Sequence, residues 1–193
     1  MKMDIVFSGV GGQGVVALSD IYCEAAMLDG FDVAKAEVHG MAQRGGTIVA
    51  YARIGDKVES PLIETGKADA IVGFEVLETA RALPMLKRDG TVIVNMKYIQ
   101  PNCTVSGGKP KTMEELMQLL KSKAKVHEVD GKGIAEKLGN LLVVNTVLLG
   151  ALSALPEIPV KKESFEKAIA GRFKEKYVNS NLKAFQLGRE SIL

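Results

Sequence analysis

Two glycine-rich segments hold the residues best suited to binding a ligand. The first is Gly9-Val10-Gly11-Gly12-Gln13-Gly14. Gly9, Gly11 and Gly14 match the G-x-G-x-x-G pattern, in which glycines allow a tight turn and let a phosphate approach free amides at a helix N-terminus. Gln13, between glycines, is expected to point its side-chain amide out into a crevice. Glu37 follows about 20 residues on, where a dinucleotide site would place an acid against a ribose. The second segment is His39-Gly40-Met41-Ala42-Gln43-Arg44-Gly45-Gly46. Arg44 offers a planar fork for phosphate or carboxylate, and His39 can donate or accept a proton near neutral pH. Plainer readings stand beside these: a tight strand-to-helix turn for the first segment, a polar surface loop for the second.

Other chemistries find less support. Cys23 and Cys103 are the two cysteines, too few for an iron–sulfur cluster, and His39 and His127 are the two histidines, without zinc-site spacing. A metal site within the chain is therefore not expected. No pair of carboxylates or activated nucleophile stands out, and no catalytic residue is assigned. Glu75 and Glu78 are read as acids on the first turn of a helix, favoured by its dipole. With 25 basic and 23 acidic residues the formal charge is +2, and no block of like charges suggests nucleic acid. The apolar stretch Leu141 to Leu155 is interrupted by Asn145, Thr146, Gly150 and Ser153, which argues for a buried helix and against a membrane span. The N-terminus shows no leader pattern, and a cytoplasmic location is expected.

The elements that would carry these residues follow from periodicity. Met3 to Ser8 is a short apolar strand running into the first turn, and a helix from Val15 ends at Asp29-Gly30. Phe31 to Val38 forms a second strand running into the second turn, and Thr47 to Ile54 a third. Ala68 to Phe74 and Thr91 to Asn95 are further buried strands. Between them a helix from Glu75 to Lys87, interrupted by Pro84, is expected to stop at Asp89-Gly90. Thr112-Met113-Glu114-Glu115 is a capping box that starts a helix, and Lys125 to Val129 is a last strand. One helix from Ala135 to Leu155 and two after the Pro156/Pro159 break complete the chain. The pattern predicts a three-layer α/β/α, Rossmann-like domain with a mostly parallel sheet. It divides into an α/β core over residues 1–155 and a C-terminal helical arm over 156–193.

Over nearly its whole length the sequence resembles the beta subunit of indolepyruvate ferredoxin oxidoreductase, related to the gamma subunit of pyruvate ferredoxin oxidoreductase. The resemblance rests on Ser8 through Gly14, Glu37 through Gly46, Ser60-Pro61-Leu62-Ile63, Gly66-Lys67-Ala68-Asp69 and Gly73 through Glu78, and further on Asn145, Leu149 through Leu152 and Val178 through Phe185. It implies oxidative decarboxylation of an aryl 2-oxo acid to its acyl-CoA with reduction of ferredoxin. Thiamine diphosphate and the iron–sulfur clusters would belong to a partner alpha subunit, and coenzyme A would be the co-substrate. This chain would then supply a binding surface from Gly9, Gly11, Gly12, Gln13, Gly14, His39, Gln43 and Arg44. Two alternatives are a free-standing NAD- or FAD-binding oxidoreductase and a stand-alone binding module for an acidic metabolite.

Overall fold

The computed structural model describes residues 2–40, 45–100 and 110–193. Strand β1, Lys2–Val10, lies inside the sheet, and its side chains alternate between two cores: Met3, Ile5 and Phe7 enter one, Val6 the other. The other strands are β2 (Asp32–His39), β3 (Thr47–Gly55), β4 (Ala68–Gly73), β5 (Leu86–Asn95) and β6 (Lys125–Val129), in the order β2-β3-β1-β4-β5-β6. Ladders β1–β4, β4–β5 and β5–β6 are parallel, whereas β3 runs antiparallel to both β1 and β2. Among the described residues β3 thus opposes the other strands, and the sheet is mostly parallel. Helices cover both faces, giving the expected three layers.

The helices are α1 (Val15–Leu28), α2 (Val76–Ala82), α3 (Met113–Lys123), α4 (Gly131–Lys137), α5 (Val144–Ala154), α6 (Lys162–Arg172) and α7 (Glu175–Glu190). Helices α1, α5, α6 and α7 pack over one face around a run of rings, Phe7–Tyr22–Phe165–Phe185, with centroids 5.9, 6.2 and 5.8 Å apart. Helices α2 and α3 cover the other face over β1, β4, β5 and β6. The capping box forms as expected: Glu115 N–H donates to Thr112 Oγ1 at 3.2 Å, and Thr112 N–H donates to Glu115 Oε2 at 2.8 Å.

Two expected helices are shorter than the periodicity suggests. The segment from Glu75 leaves the α-helix at Ala82, turns through the 3₁₀ stretch Leu83–Met85 and enters β5 at Leu86. Pro84 cannot donate in an α-helix, which favours the tighter turn. Asp89 and Gly90 therefore do not stop a helix; they form an irregular part of β5, where Leu86 to Thr91 opposes Ala68 to Ala70 and Asp89 takes φ 61°. The stretch from Ala135 to Leu155 divides into α4, a 3₁₀ turn over Leu141–Val143, and α5. Gly139 at φ 65° ends α4, and Asn140 Oδ1 accepts the Leu142 N–H at 3.0 Å. That side-chain bond offers the backbone an alternative to helical pairing.

Candidate functional site

The first turn is built by what its glycines omit. A Cβ on Gly9 would lie 2.7 Å from Phe74 Cβ and 2.7 Å from Gln13 Oε1. Gly12 and Gly14 have φ of 95° and 87°, conformations costly to residues with a side chain. Gln13 borders the crevice, but its amide is not free. Its Oε1 accepts the Val10 N–H at 2.7 Å and its Nε2 donates to the Phe74 carbonyl at 3.4 Å, so the amide closes the turn and fastens it to the end of β4. Gly14 then starts α1 with no capping side chain, and no acid occupies the first turn. The amides at the positive dipole end of α1 thus receive neither a capping side chain nor a first-turn acid, an arrangement able to accept an anion.

The second turn meets the first. It joins β2 to β3 as a hairpin, closed by Gly40 N–H to Thr47 O at 2.8 Å, and Gly11 N–H donates to Gly46 O at 2.9 Å. Gln43 and Arg44 lie outside the described residues. His39 ends β2, its Nε2 3.0 Å from Glu37 Oε2. Glu37 also pairs with Lys35 at 2.6 Å, Lys35 with Asp20 on α1, and Asp20 with Arg172 on α6 at 2.8 Å. Bonds from Lys35 and then His39 hold the Glu37 carboxyl below its usual range. Burial pulls the Lys35 ammonium pKa down, but its bonds to Asp20 and Glu37 outweigh this and raise it.

This placement removes the ribose role considered for Glu37. In a dinucleotide fold that acid ends the strand beside β1. Here β3 lies between β1 and β2, which moves Glu37 two strand spacings, about 10 Å, from the first turn.

The cleft opens on the other side of the first turn. The chain leaves β1 toward one face of the sheet and β4 toward the other, since α1 packs in one core and α2 in the opposite one. A crevice at the carboxyl ends of the strands is expected at such a switch point. A cavity of about 620 Å³ occupies it. One wall is Gly12, Gln13 and Gly14; the floor is Phe74 and Asn95. Lys97 and Lys132 bring positive charge, and Leu141, Leu142 and Val144 form an apolar wall.

Asn95, buried at the end of β5, fixes the floor. Its Nδ2 donates to the Phe74 carbonyl at 3.1 Å, and its Oδ1 accepts the Gly131 N–H at 3.1 Å. The loops after β4, β5 and β6 are thereby tied together. Glu75, also buried, caps α2 by accepting the N–H groups of Leu77 at 3.1 Å, Glu78, and Ile99 at 3.3 Å. Burial raises its pKa, and the accepted bonds oppose that rise. On the opposite wall Asn145 Oδ1 accepts its neighbour Thr146 N–H at 2.9 Å, while Asn145 Nδ2 faces Gly14, 3.0 Å from where a Cβ would stand. Among the described residues Lys97 has no ion-pair partner, and Lys132 Nζ is 3.4 Å from Glu136 on the exposed side of α4.

Of the predicted site residues, Gly9, Gly11, Gly12, Gln13 and Gly14 form one turn. His39 stands on the hairpin, away from the cavity lining. Lys97, Lys132, Asn95 and the exposed Leu141 and Leu142 were not singled out as site residues. The available signal was their position just beyond strands β5 and β6 and at the head of α5. Cys23 is buried in the core, and burial pushes its thiol pKa up to about 12, as befits a packing residue. Among the described residues no group of three or more His, Cys, Asp or Glu could hold a metal, and no helix is long and apolar enough to cross a membrane.

Comparison with known proteins adds the following. The family described as pyruvate ferredoxin/flavodoxin oxidoreductase matches residues 4–191. The indolepyruvate oxidoreductase subunit IorB of Archaeoglobus fulgidus is 40% identical over 190 residues, covering 97% of this chain and 94% of that protein. The crystal structure of a keto/oxoacid ferredoxin oxidoreductase gamma subunit from Geobacter sulfurreducens superposes with a TM-score of 0.76 at 28% identity, covering 98% of each chain. The 2-oxoglutarate:ferredoxin oxidoreductase of Magnetococcus marinus, solved with 2-oxoglutarate, coenzyme A and succinyl-CoA, shares the fold, with a TM-score of 0.74 at 17% identity. There the fold covers 99% of this chain and 31% of the longer one.

Proposed function

The chain belongs to the pyruvate ferredoxin/flavodoxin oxidoreductase family, and from that premise we propose that it is the small subunit of an oxidoreductase acting on indolepyruvate or a related aryl 2-oxo acid. The reaction forms the acyl-CoA and passes electrons to ferredoxin. Thiamine diphosphate and the iron–sulfur clusters are assigned to a partner alpha subunit in the same cytoplasmic complex. The present chain contributes binding, not a catalytic group.

The observation that carries this reading is the switch-point cavity. Its volume of about 620 Å³ suits part of a nucleotide-bearing cofactor. Coenzyme A has anionic phosphates joined to an uncharged pantetheine arm, and the cavity pairs cationic and apolar walls in the same way. The α1 N-terminus at Gly12 to Gly14, with Lys97 and Lys132, fits the phosphates; Leu141, Leu142 and Val144 fit the arm. Arg44, Gln43 and His39 are retained as contact residues on the strength of the sequence motif. The indolepyruvate preference is supported by the relative from Archaeoglobus fulgidus and by the glutamine and arginine of the second turn.

Steady-state kinetics on the assembled complex test the proposal. Lys97→Ala and Arg44→Ala should each raise the KM for coenzyme A on the order of tenfold, the loss of one charge-assisted contact, with kcat little changed. An unchanged coenzyme A KM in both variants, with the complex intact, would reject coenzyme A binding by this chain.

A further inference from the structure

Helix α5 begins at the cavity wall. Its N-cap residue, Val143, offers no side-chain bond, and its first turn carries no acid. Asn145, in that turn, accepts the Thr146 N–H through Oδ1 at 2.9 Å, one of the amides that a helix start leaves without an internal partner. A side-chain amide has one accepting and one donating end, so this bond settles which way it lies. Nδ2 is turned to the first glycine turn, 3.0 Å from where a Cβ on Gly14 would stand, and among the described residues no acceptor is bonded to it. An aspartate here would accept the same N–H and suit the positive end of α5 better. The asparagine instead sets an uncharged N–H donor beside the open amides of α1.

The wall is held from near the end of the chain. The Thr146 hydroxyl donates to Asn181 Oδ1 on α7 at 2.6 Å, and Asn181 Nδ2 donates to the Tyr177 carbonyl one turn back at 2.9 Å. Thr146 and Asn181 are both buried. With Nδ2 committed to a carbonyl, Asn181 has only its acceptor to offer, and the Thr146 hydroxyl places its single proton there. The same hydroxyl oxygen lies 3.4 Å from Asn145 Oδ1, but no second proton remains for that contact. The Thr146 N–H therefore holds the Asn145 amide, and Asn181 holds Thr146.

We infer that Asn145 donates to a phosphate of the ligand lying across the α1 N-terminus, and that Asn181 on α7 is a positioning residue acting through Thr146. The inference rests on the proposed reading of the cavity as a coenzyme A site. It assigns Asn145 to a phosphate and not to the pantetheine arm, because Nδ2 faces the Gly14 end of the turn, where α1 begins. A residue of the last helix thereby fixes a donor at a cavity whose other polar groups come from the strand ends.

The test varies coenzyme A in assays of the assembled complex and follows the Tm of the subunit alongside. Asn145→Asp keeps the acceptor for the Thr146 N–H and adds an acid favoured at a helix start, so Tm should hold or rise. The lost donor and the new negative charge should raise the KM for coenzyme A by about tenfold or more, with kcat little changed. A purely structural role for Asn145 predicts no such split between Tm and KM. Thr146→Val removes the proton given to Asn181 and should raise the same KM on the order of threefold, the effect of one neutral hydrogen bond. Thr146→Ser keeps the hydroxyl and should keep the wild-type KM. A wild-type coenzyme A KM in Asn145→Asp would overturn the contact, and equal KM values in Thr146→Val and Thr146→Ser would overturn the positioning role. If Lys97→Ala raises the KM while Asn145→Asp does not, the coenzyme A site stands and this inference falls. If Lys97→Ala and Arg44→Ala are also without effect, coenzyme A binding by this chain is rejected with it.

Discussion

A single backbone carbonyl organises the cleft. Phe74 O, at the end of β4, receives Nε2 of Gln13 and Nδ2 of Asn95, so the first turn and the loops after β5 and β6 are set by one acceptor. Asn95→Ala would strand the Gly131 N–H and halve the donors on Phe74 O. A loss of about 1–3 kcal/mol in denaturant unfolding is expected, the cost of unpaired buried polar groups, together with a raised coenzyme A KM. Wild-type stability in that variant would show that water replaces the amide. Gln13 itself illustrates a limit of local reading. A glutamine between glycines is free to point either way, and its amide is held by the Val10 N–H three positions back together with the Phe74 carbonyl, sixty-one positions along the chain.

Among the elements, α5 and α7 approach each other closely at two glycines. A Cβ on Gly150 would stand 2.0 Å from the Phe185 carbonyl, and one on Gly188 would stand 2.0 Å from that of Val147. Gly150→Ala should therefore force the helices apart and lower stability by about 1–3 kcal/mol or more, seen as a fall in Tm. An unchanged Tm would mean that α7 can shift freely. A similar long-range tie starts α6. Its N-cap residue Lys161 offers no side-chain bond, and Asp29 from the end of α1 accepts the Lys161 N–H at 2.6 Å and the Ser164 hydroxyl at 2.7 Å. The strands, α1, α3 and the terminal helices were legible because capping boxes, glycine stops and apolar periodicity act within a few residues. The break inside Ala135 to Leu155 was less so, because Asn140 competes for the backbone through a side-chain bond that periodicity does not register.

At the scale of the molecule, the C-terminal helices join the packing that supports the first turn. Phe165 and Phe185 are fully buried and extend the aromatic run from Phe7 and Tyr22. Ending the chain at Leu155 would uncover Tyr22 and the α5 surface. The shortened chain is expected to lose cooperative unfolding and to bind hydrophobic dyes, measured by calorimetry and fluorescence. A sharp transition in residues 1–155 would instead make 156–193 a separable arm.

The sequence by itself determined the glycine turn between β1 and α1, the apolar strand from Met3 to Ser8, the mostly parallel α/β architecture and the family resemblance. Each depends on backbone preferences and side-chain types over a few neighbouring positions. The tertiary structure alone decided that β3 enters between β1 and β2, which carries Glu37 away from the first turn. It also decided that Lys97, Lys132 and Leu142 gather at the same cavity. Strand order and loop convergence come from pairing and packing between segments far apart in the chain, and local spacing carries no record of which distant segment will be the neighbour.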